Sequence, residues 1–320
     1  MRYEVIENEL VEIKEKYADE RRTRIIKMAT EFNPEDMYAD DDMVITISHL
    51  GYIKRTPLAD FRQQGRGGVG AKASAARDED FIEYVHQANM HSTMMFFTEQ
   101  GRLYWTKVYE LPEGNRQSKG RALQNMINIQ KGDKVCAFIH VKNLSDMEYV
   151  QNHYLIFATK NGLMKKTTLE SYSRPRANGI IALGLREDDR LIRVTLTDGN
   201  SQMLVASYNG KVVRFPEDTV RPMGRTATGV RAIKLDEDGK DRVVGMICVE
   251  QGSKDSVLVI SEKGFGKRTL LDDENGEPIY RITNRGGKGV KTMNITDKTG
   301  NLIGLEAVTD EQDLMLITKS

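Results

Sequence analysis

The stretch Tyr154-Leu-Ile-Phe-Ala-Thr-Lys-Asn-Gly-Leu-Met-Lys-Lys-Thr-Thr-Leu169 (YLIFATKNGLMKKTTL) sets an apolar run, a tight turn at Asn161-Gly162 and a basic run in sixteen residues. Asn-Gly supplies the positive φ that a two-strand antiparallel connection needs, so the stretch predicts a hairpin. It does not stand alone. MVITISHLGYIKRTPL (43–58), TMMFFTEQGRLYWTKV (93–108), MLVASYNGKVVRFP (203–216) and VLVISEKGFGKRTLL (257–271) follow the same plan, with turn glycines Gly51, Gly101, Gly162, Gly210 and Gly264. Each hairpin is followed by a glycine-containing segment: GGVGAKAS, KGRALQNMINI, ANGIIALGL, ATGVRAIKL and GGKGVKTMNI. A third apolar run then closes the unit: FIEYVHQA, DKVCAFIHV, DRLIRVTLT, DRVVGMICV and NLIGLEAV. About four short strands recur roughly every 50 residues, the signature of a propeller-like all-β array. A sixth unit begins at DLMLITKS (313–320), so the chain reads as a fragment cut inside the array.

Ahead of the repeats, Tyr3, Ile6, Leu10, Ile13 and Tyr17 recur at steps of three and four amid Glu and Lys. That stripe predicts an amphipathic helix over residues 1–27, followed by an acidic connector over 28–40 that Asn33-Pro34 keeps from being helical. The repeat array then occupies 41–320.

At 320 residues and 39% hydrophobic, the chain can bury a sizeable core. No run of about 18 apolar residues exists and the first residues are no signal peptide, so the expected location is the cytoplasm. Cys136 and Cys248 have no CxxC partner and are expected as buried free thiols. His49, His86, His91, His140 and His153 show no metal-ligand or triad spacing, and no metal and no catalytic residue are expected. Trp105 and most methionines fall in strand patterns and are expected in the core. Gly65, Gly67 and Gly70 match G-x-G-x-x-G, but the run upstream is charged and ends at Pro57, and no apolar helical face follows. A dinucleotide-binding turn needs both, so that reading is set aside.

Net charge is zero, from 47 Lys and Arg against 47 Asp and Glu. The charge is nevertheless sorted. From each basic strand through the following glycine segment (52–77, 102–121, 163–186, 211–234 and 263–291) there are 29 basic and 10 acidic residues, a surplus of 19. Equivalent positions around an array would make a continuous positive band suited to a curved polyanion. Solvated edge charges would explain mixed signs but not one bias repeated five times. Few aromatics accompany the cations, which favours phosphates of a duplex over stacked single-stranded bases. The candidate phosphate contacts are Lys54, Arg55, Arg62, Lys72, Arg102, Lys107, Arg116, Lys119, Arg121, Lys165, Lys166, Arg174, Arg176, Lys211, Arg214, Arg221, Arg225, Lys267, Arg268, Arg285, Lys288 and Lys291. Tyr172, near Arg174 and Arg176, is expected on the same rim.

Gln64-Gly65-Arg66-Gly67-Gly68-Val69-Gly70 follows the first basic strand, where glycines allow close backbone approach and Arg66 can donate to phosphate. The chain here resembles the C-terminal domain of the DNA gyrase A protein, whose diagnostic box is Gln-(Arg/Lys)-Arg-Gly-Gly-(Arg/Lys)-Gly. Gln64, Arg66, Gly67, Gly68 and Gly70 match it; Gly65 and Val69 depart from it. The resemblance extends to ELVEIKEKYADERRTRI (9–25), similar to a helix leaving a coiled coil, and to GKVVRF, TGVRAIKL and GFGKRT, similar to later blades. It implies a six-bladed β-pinwheel that wraps duplex DNA so that the whole enzyme, with ATP and Mg, introduces negative supercoils. It also implies a non-catalytic fragment without its own cofactor, whose partners are duplex DNA, the remainder of the gyrase A protein, and the gyrase B protein. Arg62, Lys72 and the segment NRGGKGVK (284–291) are placed to make up charge missing from the box. The alternatives are the corresponding domain of topoisomerase IV, which steers DNA without full wrapping, and a propeller scaffold whose basic rim takes an acidic protein.

Overall fold

The computed structural model describes residues 2–20, 22–23, 34–61, 80–237 and 239–312. Residues up to Tyr38 and residues from Ala39 form two compact units. In the first, helix α1 (Arg2–Tyr17) ends well before residue 27, where the apolar stripe itself ends. All its side chains are exposed. Pro34–Met37 forms a single 3-10 turn.

In the second unit the repeats appear in order. Repeat 1 holds β1 (Asp42–Ser48), β2 (Tyr52–Pro57) and β3 (Ile82–Asn89); repeat 2 holds β4 (Thr93–Thr98), β5 (Arg102–Lys107), β6 (Arg121–Ala122) and β7 (Val135–Val141). Repeat 3 holds helix α2 (Met147–Asn152), β8 (Tyr154–Thr159), β9 (Leu163–Thr168), β10 (Ile180–Ile181) and β11 (Leu191–Thr197). Repeat 4 holds β12 (Ser201–Ser207), β13 (Lys211–Pro216), β14 (Val230–Arg231) and β15 (Val243–Glu250), and repeat 5 β16 (Ser256–Ser261), β17 (Gly266–Leu270), β18 (Val290–Lys291) and β19 (Leu302–Val308). The five hairpin turns are as expected: Gly51, Gly101, Gly162, Gly210 and Gly264 all have φ between 75° and 82°.

The sheets depart from the one-repeat, one-blade expectation. Their orders are β3-β1-β2-β6, β10-β5-β4-β7, β11-β8-β9-β14, β15-β12-β13-β18 and β17-β16-β19. Among the described residues, the glycine segments of repeats 2 to 5 each contribute a two-residue strand, which pairs with the second strand of the preceding repeat. Arg121 and Ala122 lie on Ile53 and Tyr52, and Val230 and Arg231 on Met164 and Leu163. A blade is thus completed by its successor. Among the described residues there are five sheets, one per full repeat, the fifth with three strands; the start of a sixth unit expected at DLMLITKS falls outside the described residues.

Successive blades stack through the central strands, whose alternate side chains serve opposite neighbours. Met94 and Phe96 pack with Met43, Ile45 and Ile53 of repeat 1, whereas Met95 and Phe97 pack with Leu155 and Phe157 of repeat 3. Met203 and Val205 face repeat 3, and Leu204 and Ala206 face repeat 5. A strand buried on both faces reads as a continuous apolar run, which is why FFT and LIFAT carry no polar alternation. In repeats 1 to 4 an aspartate just before the closing apolar strand locks it to the hairpin turn. The Oδ1 atoms of Asp80, Asp133, Asp189 and Asp241 accept from the backbone N–H of Leu50, Gln100, Asn161 and Asn209 at 2.9–3.2 Å.

Candidate nucleic-acid interface

The expected phosphate contacts divide by burial into three groups. Lys54, Arg55, Lys165, Lys166 and Arg214 are buried, and this corrects their assignment to a rim. They sit three and four residues after a turn glycine, in strands covered on one side by the central strand and on the other by the donated segment. Their charges are used internally. Arg55 donates to the carbonyl oxygens of Val108 and Tyr109 and pairs with Glu113 at 2.9 Å. Lys166 pairs at 2.7 Å with Glu217, whose side chain is fully buried. Arg214 donates to Gln202, to Leu271 O and to Asp272. Each of these three fastens its strand to the following repeat.

Lys54 and Lys165 pair with no carboxylate among the described residues and donate mainly to carbonyl oxygens. Lys54 Nζ donates to Asn115 O at 2.8 Å, Arg116 O at 3.2 Å and Ser118 O at 2.9 Å. Lys165 Nζ donates to Ala182 O and Arg225 O, both at 2.5 Å, and to Tyr172 Oη at 3.4 Å. Burial lowers the pKa of both; for Lys165, burial and then the Arg225 charge bring it down to about 7. Tyr172 is fully buried with its hydroxyl donating to Ala182 O, so it is a core residue and not the expected rim tyrosine.

A second group is half-buried and partly engaged. Arg102 donates to Asn178 O, Lys107 to His91 O, and Lys211 pairs with Asp236; Arg116 and Arg225 belong here too. The third group is exposed: Lys119, Arg121, Arg174, Arg176, Arg221, Lys267, Arg268, Arg285, Lys288 and Lys291. Arg231 and Arg281, also exposed, are cations that the sequence pattern did not single out, although both lie in the charge-sorted segments. Arg62, the box residues Gln64 to Gly70 and Lys72 lie outside the described residues.

Apart from Lys267 and Arg268, which lie on β17, the exposed group falls on one structural element, the loop leading into each donated strand and the strand itself. The loop is held by a glycine that no other residue could replace without strain. Gly120, Gly179, Gly229 and Gly289 have φ from 64° to 92°, and an added Cβ would stand 2.4–2.6 Å from the carbonyl oxygens of Ile53, Leu103, Met164 and Val212. Gly70 occupies this place in repeat 1 by sequence, and Arg66, Arg116, Arg225 and Arg285 share the position four residues earlier. Neighbouring segments also touch. Gly184 N donates to Ala227 O at 3.3 Å, Lys234 N to Gly287 O at 2.8 Å, and Gly286 N to Ala232 O at 2.7 Å. Arg285 reaches back to Thr219 O and Arg231 O. The basic loops of repeats 3, 4 and 5 are therefore joined edge to edge. The last of them borders an open basin of about 450 Å³ lined by Arg281, Asn284, Arg285, Lys288 and the backbone of Gly286, Gly287 and Gly289.

Among the described residues no cluster of His, Cys, Asp and Glu could hold a metal ion, and no helix is long and apolar enough to cross a membrane. Cys136 and Cys248 are free and partly buried, their thiol pKa values pushed up by burial. Trp105 is partly buried and packs against the core between repeats 2 and 3.

Solved structures share this architecture. One of the C-terminal domain of DNA topoisomerase IV superposes with a TM-score of 0.66 at 24% identity, covering 85% of this chain and 79% of that one. A DNA gyrase A C-terminal domain gives 0.66 at 22% identity, covering 84% of both. In sequence, the DNA gyrase A proteins of Staphylococcus epidermidis and of Staphylococcus aureus are each 42% identical over 318 residues, 99% of this chain. The chain spans 34% of the length of those relatives. The family model for the DNA gyrase C-terminal domain, a beta-propeller, matches five times, at 42–89, 92–142, 153–198, 202–250 and 255–309, one match per repeat. With all five repeats matched, the chain belongs to the DNA gyrase C-terminal domain family.

Proposed function

We propose that the chain binds duplex DNA along its basic loops and curves the duplex around them, acting within a DNA gyrase in which other regions carry out ATP- and Mg-dependent strand passage. The observation that carries the reading is the serial contact of the loops. Cations on isolated loops would bind a polyanion at scattered points. The loops of repeats 3, 4 and 5, joined by backbone hydrogen bonds, give a track along which phosphates are met in succession. Loop backbone N–H groups and arginines are suited to phosphate oxygens, and such contacts carry no base sequence, as wrapping requires. The chain itself performs no chemistry and holds no cofactor in this reading; it works in the cytoplasm, with duplex DNA, the rest of the gyrase A protein and the gyrase B protein as partners. The first-repeat box, Gln64 to Gly70, contributes Arg66 and its glycines.

The test is ligation of nicked circular plasmid with rising amounts of the chain, followed by deproteinisation and a linking-number gel. A positive shift in linking number is expected. Duplex binding without any shift would instead favour the steering role of a topoisomerase IV domain, a reading that the uncharged Gly65 and Val69 support. Absence of duplex binding at low salt would favour an acidic protein partner.

A further inference from the structure

We propose that Lys54 and Lys165 are positioning residues for DNA binding: each gathers inward-facing carbonyl oxygens beneath the basic loops onto one buried side-chain nitrogen and so holds the loop cations outward. The proposal rests on the DNA-binding reading above and adds residues that no duplex could touch, since both lysines are buried beneath the loops they serve.

Two places share the device of a buried lysine nitrogen donating to loop carbonyl oxygens. Lys54 collects three carbonyl oxygens from residues 115 to 118, saturating its three N–H donors. Lys165 collects Arg225 O, the oxygen equivalent to Arg116 O, together with Ala182 O from the segment following β10. A carbonyl turned inward leaves the flanking N–H and side chains to face out. Around Lys54 those side chains are Arg116, half-buried, and Lys119 and Arg121, exposed. The rest of that loop is fastened to β2 as well, through Arg55 N to Pro112 O, Gly114 N to Arg55 O and Thr56 Oγ1 to Gly114 O. Lys165 does more than hold one loop. By joining Ala182 O to Arg225 O it ties the segments of repeats 3 and 4 together beside the Gly184 to Ala227 contact.

The sites are selective within the array. The equivalent position is Tyr104 in repeat 2 and Val213 in repeat 4, neither an amine, and the equivalent Lys267 in repeat 5 is exposed on a strand with no donated partner among the described residues. A lysine required just for basic surface would not be placed where water is excluded, and one required just for core filling would be matched by the isosteric methionine. Carbonyl collection explains both the donating nitrogen and the burial.

The test measures binding of the whole chain to a fluorescein-labelled 40-base-pair duplex by anisotropy across a KCl series, for wild type, Lys54→Met, the triple variant Arg116→Ala/Lys119→Ala/Arg121→Ala, and the combination. Lys54→Met is expected to lower affinity about tenfold near 0.1 M salt and to flatten the log–log salt slope by about 0.9, the value of one phosphate contact. In the triple-alanine background the same substitution is expected to change affinity less than about twofold, because the loop it positions no longer carries cations. Unchanged affinity and slope in Lys54→Met, or a loss equally large in the triple background, would overturn the proposal. If Lys54→Met does not fold, Lys54→Gln, which keeps two N–H donors, and Lys165→Gln paired with Arg225→Ala carry the same comparison. A wild-type chain that binds no duplex overturns the DNA reading and this one with it, whereas failure confined to the variants overturns this one alone.

Discussion

Replacing Lys119 and Arg121 together, and replacing Lys166 alone, should produce opposite signatures although all three are cations of the same charge-sorted segments. Lys119 and Arg121 are exposed on the repeat 2 loop and its donated strand. If each neutralises one phosphate, their loss reduces the slope of log K against log salt by about 1.8, which between 1 M and 0.15 M corresponds to roughly 30-fold in affinity, or about 2 kcal/mol. As surface residues without a cap or buried partner, they should leave thermal stability within about 0.5 kcal/mol of wild type. Lys166 is the reverse case. Its ammonium lies 2.7 Å from Glu217 and 4.1 Å from the Tyr154 ring centroid, and Glu217 also accepts from Thr197 Oγ1 at 2.8 Å and Ser201 N at 3.2 Å. Lys166→Met would leave that carboxylate buried without its counter-charge, a defect worth about 3–5 kcal/mol. The midpoint should fall by roughly 10 °C, with the salt slope of the folded fraction unchanged. Adding Glu217→Leu should recover most of the loss, because a buried pair exchanged for apolar groups is close to neutral. Fluorescence anisotropy over a salt series and differential scanning calorimetry read the two quantities separately. A Lys166→Met chain that melts like wild type but loses slope would refute the division of the cations into exposed and structural sets.

Three further outcomes follow from single features. Gly229→Ala forces a side chain into φ 92° with its Cβ 2.4 Å from Met164 O, so it should cost about 1–3 kcal/mol and raise amide exchange at Val230 and Arg231; normal protection there would contradict the close approach. Lys165 has a pKa near 7 when folded against an ordinary 10.5, so between those values the unfolded chain holds a proton the folded chain has shed. Unfolding free energy should therefore rise with pH across that window, by at most about 1.4 kcal/mol per unit, with no contribution below it; urea melts at pH 6.5, 8 and 9.5 should show this slope in wild type and lose it in Lys165→Met. Cys136 and Cys248, their thiol pKa values raised by burial, should react with iodoacetamide at pH 8 far more slowly in the native chain than in urea, and equal rates would place the thiolates in solvent.

The parts of the fold that were legible in sequence are those decided locally. Asn161-Gly162 announces a turn because positive φ is a property of one residue, and Leu155 to Ala158 announce a strand because both faces are buried. What was hidden depends on partners far along the chain. Arg121 and Ala122 show no period over two residues, and nothing in them reveals that their partners are Ile53 and Tyr52 rather than the Leu103 strand of their own repeat. The same distance concealed the roles of the cations. Lys54 and Lys119 read alike in sequence, and alternation could not separate them, since Ile53, Lys54, Arg55 and Thr56 are all buried in succession. The usable signal was position: in repeats 1, 3 and 4 the cations three and four residues past the turn glycine are buried, and those around the second glycine are exposed or half-buried. The aspartates at 80, 133, 189 and 241 recur just before the third strand and could have been read as turn locks from that spacing alone.

The handing back of a two-residue strand to the preceding repeat gives the array a polarity that an ordinary stack of independent modules lacks. In a solenoid, a defect weakens its own unit and the interfaces on either side symmetrically. Here a lesion in the Arg121–Ala122 segment removes an edge from the sheet of repeat 1, while the three long strands of repeat 2 keep their own pairing. Damage is thus felt upstream in the chain. Duplication or loss of blades during evolution is constrained in the same sense: a new junction works when the incoming glycine and its two paired residues suit the acceptor strand before it, whatever the rest of the inserted unit contains.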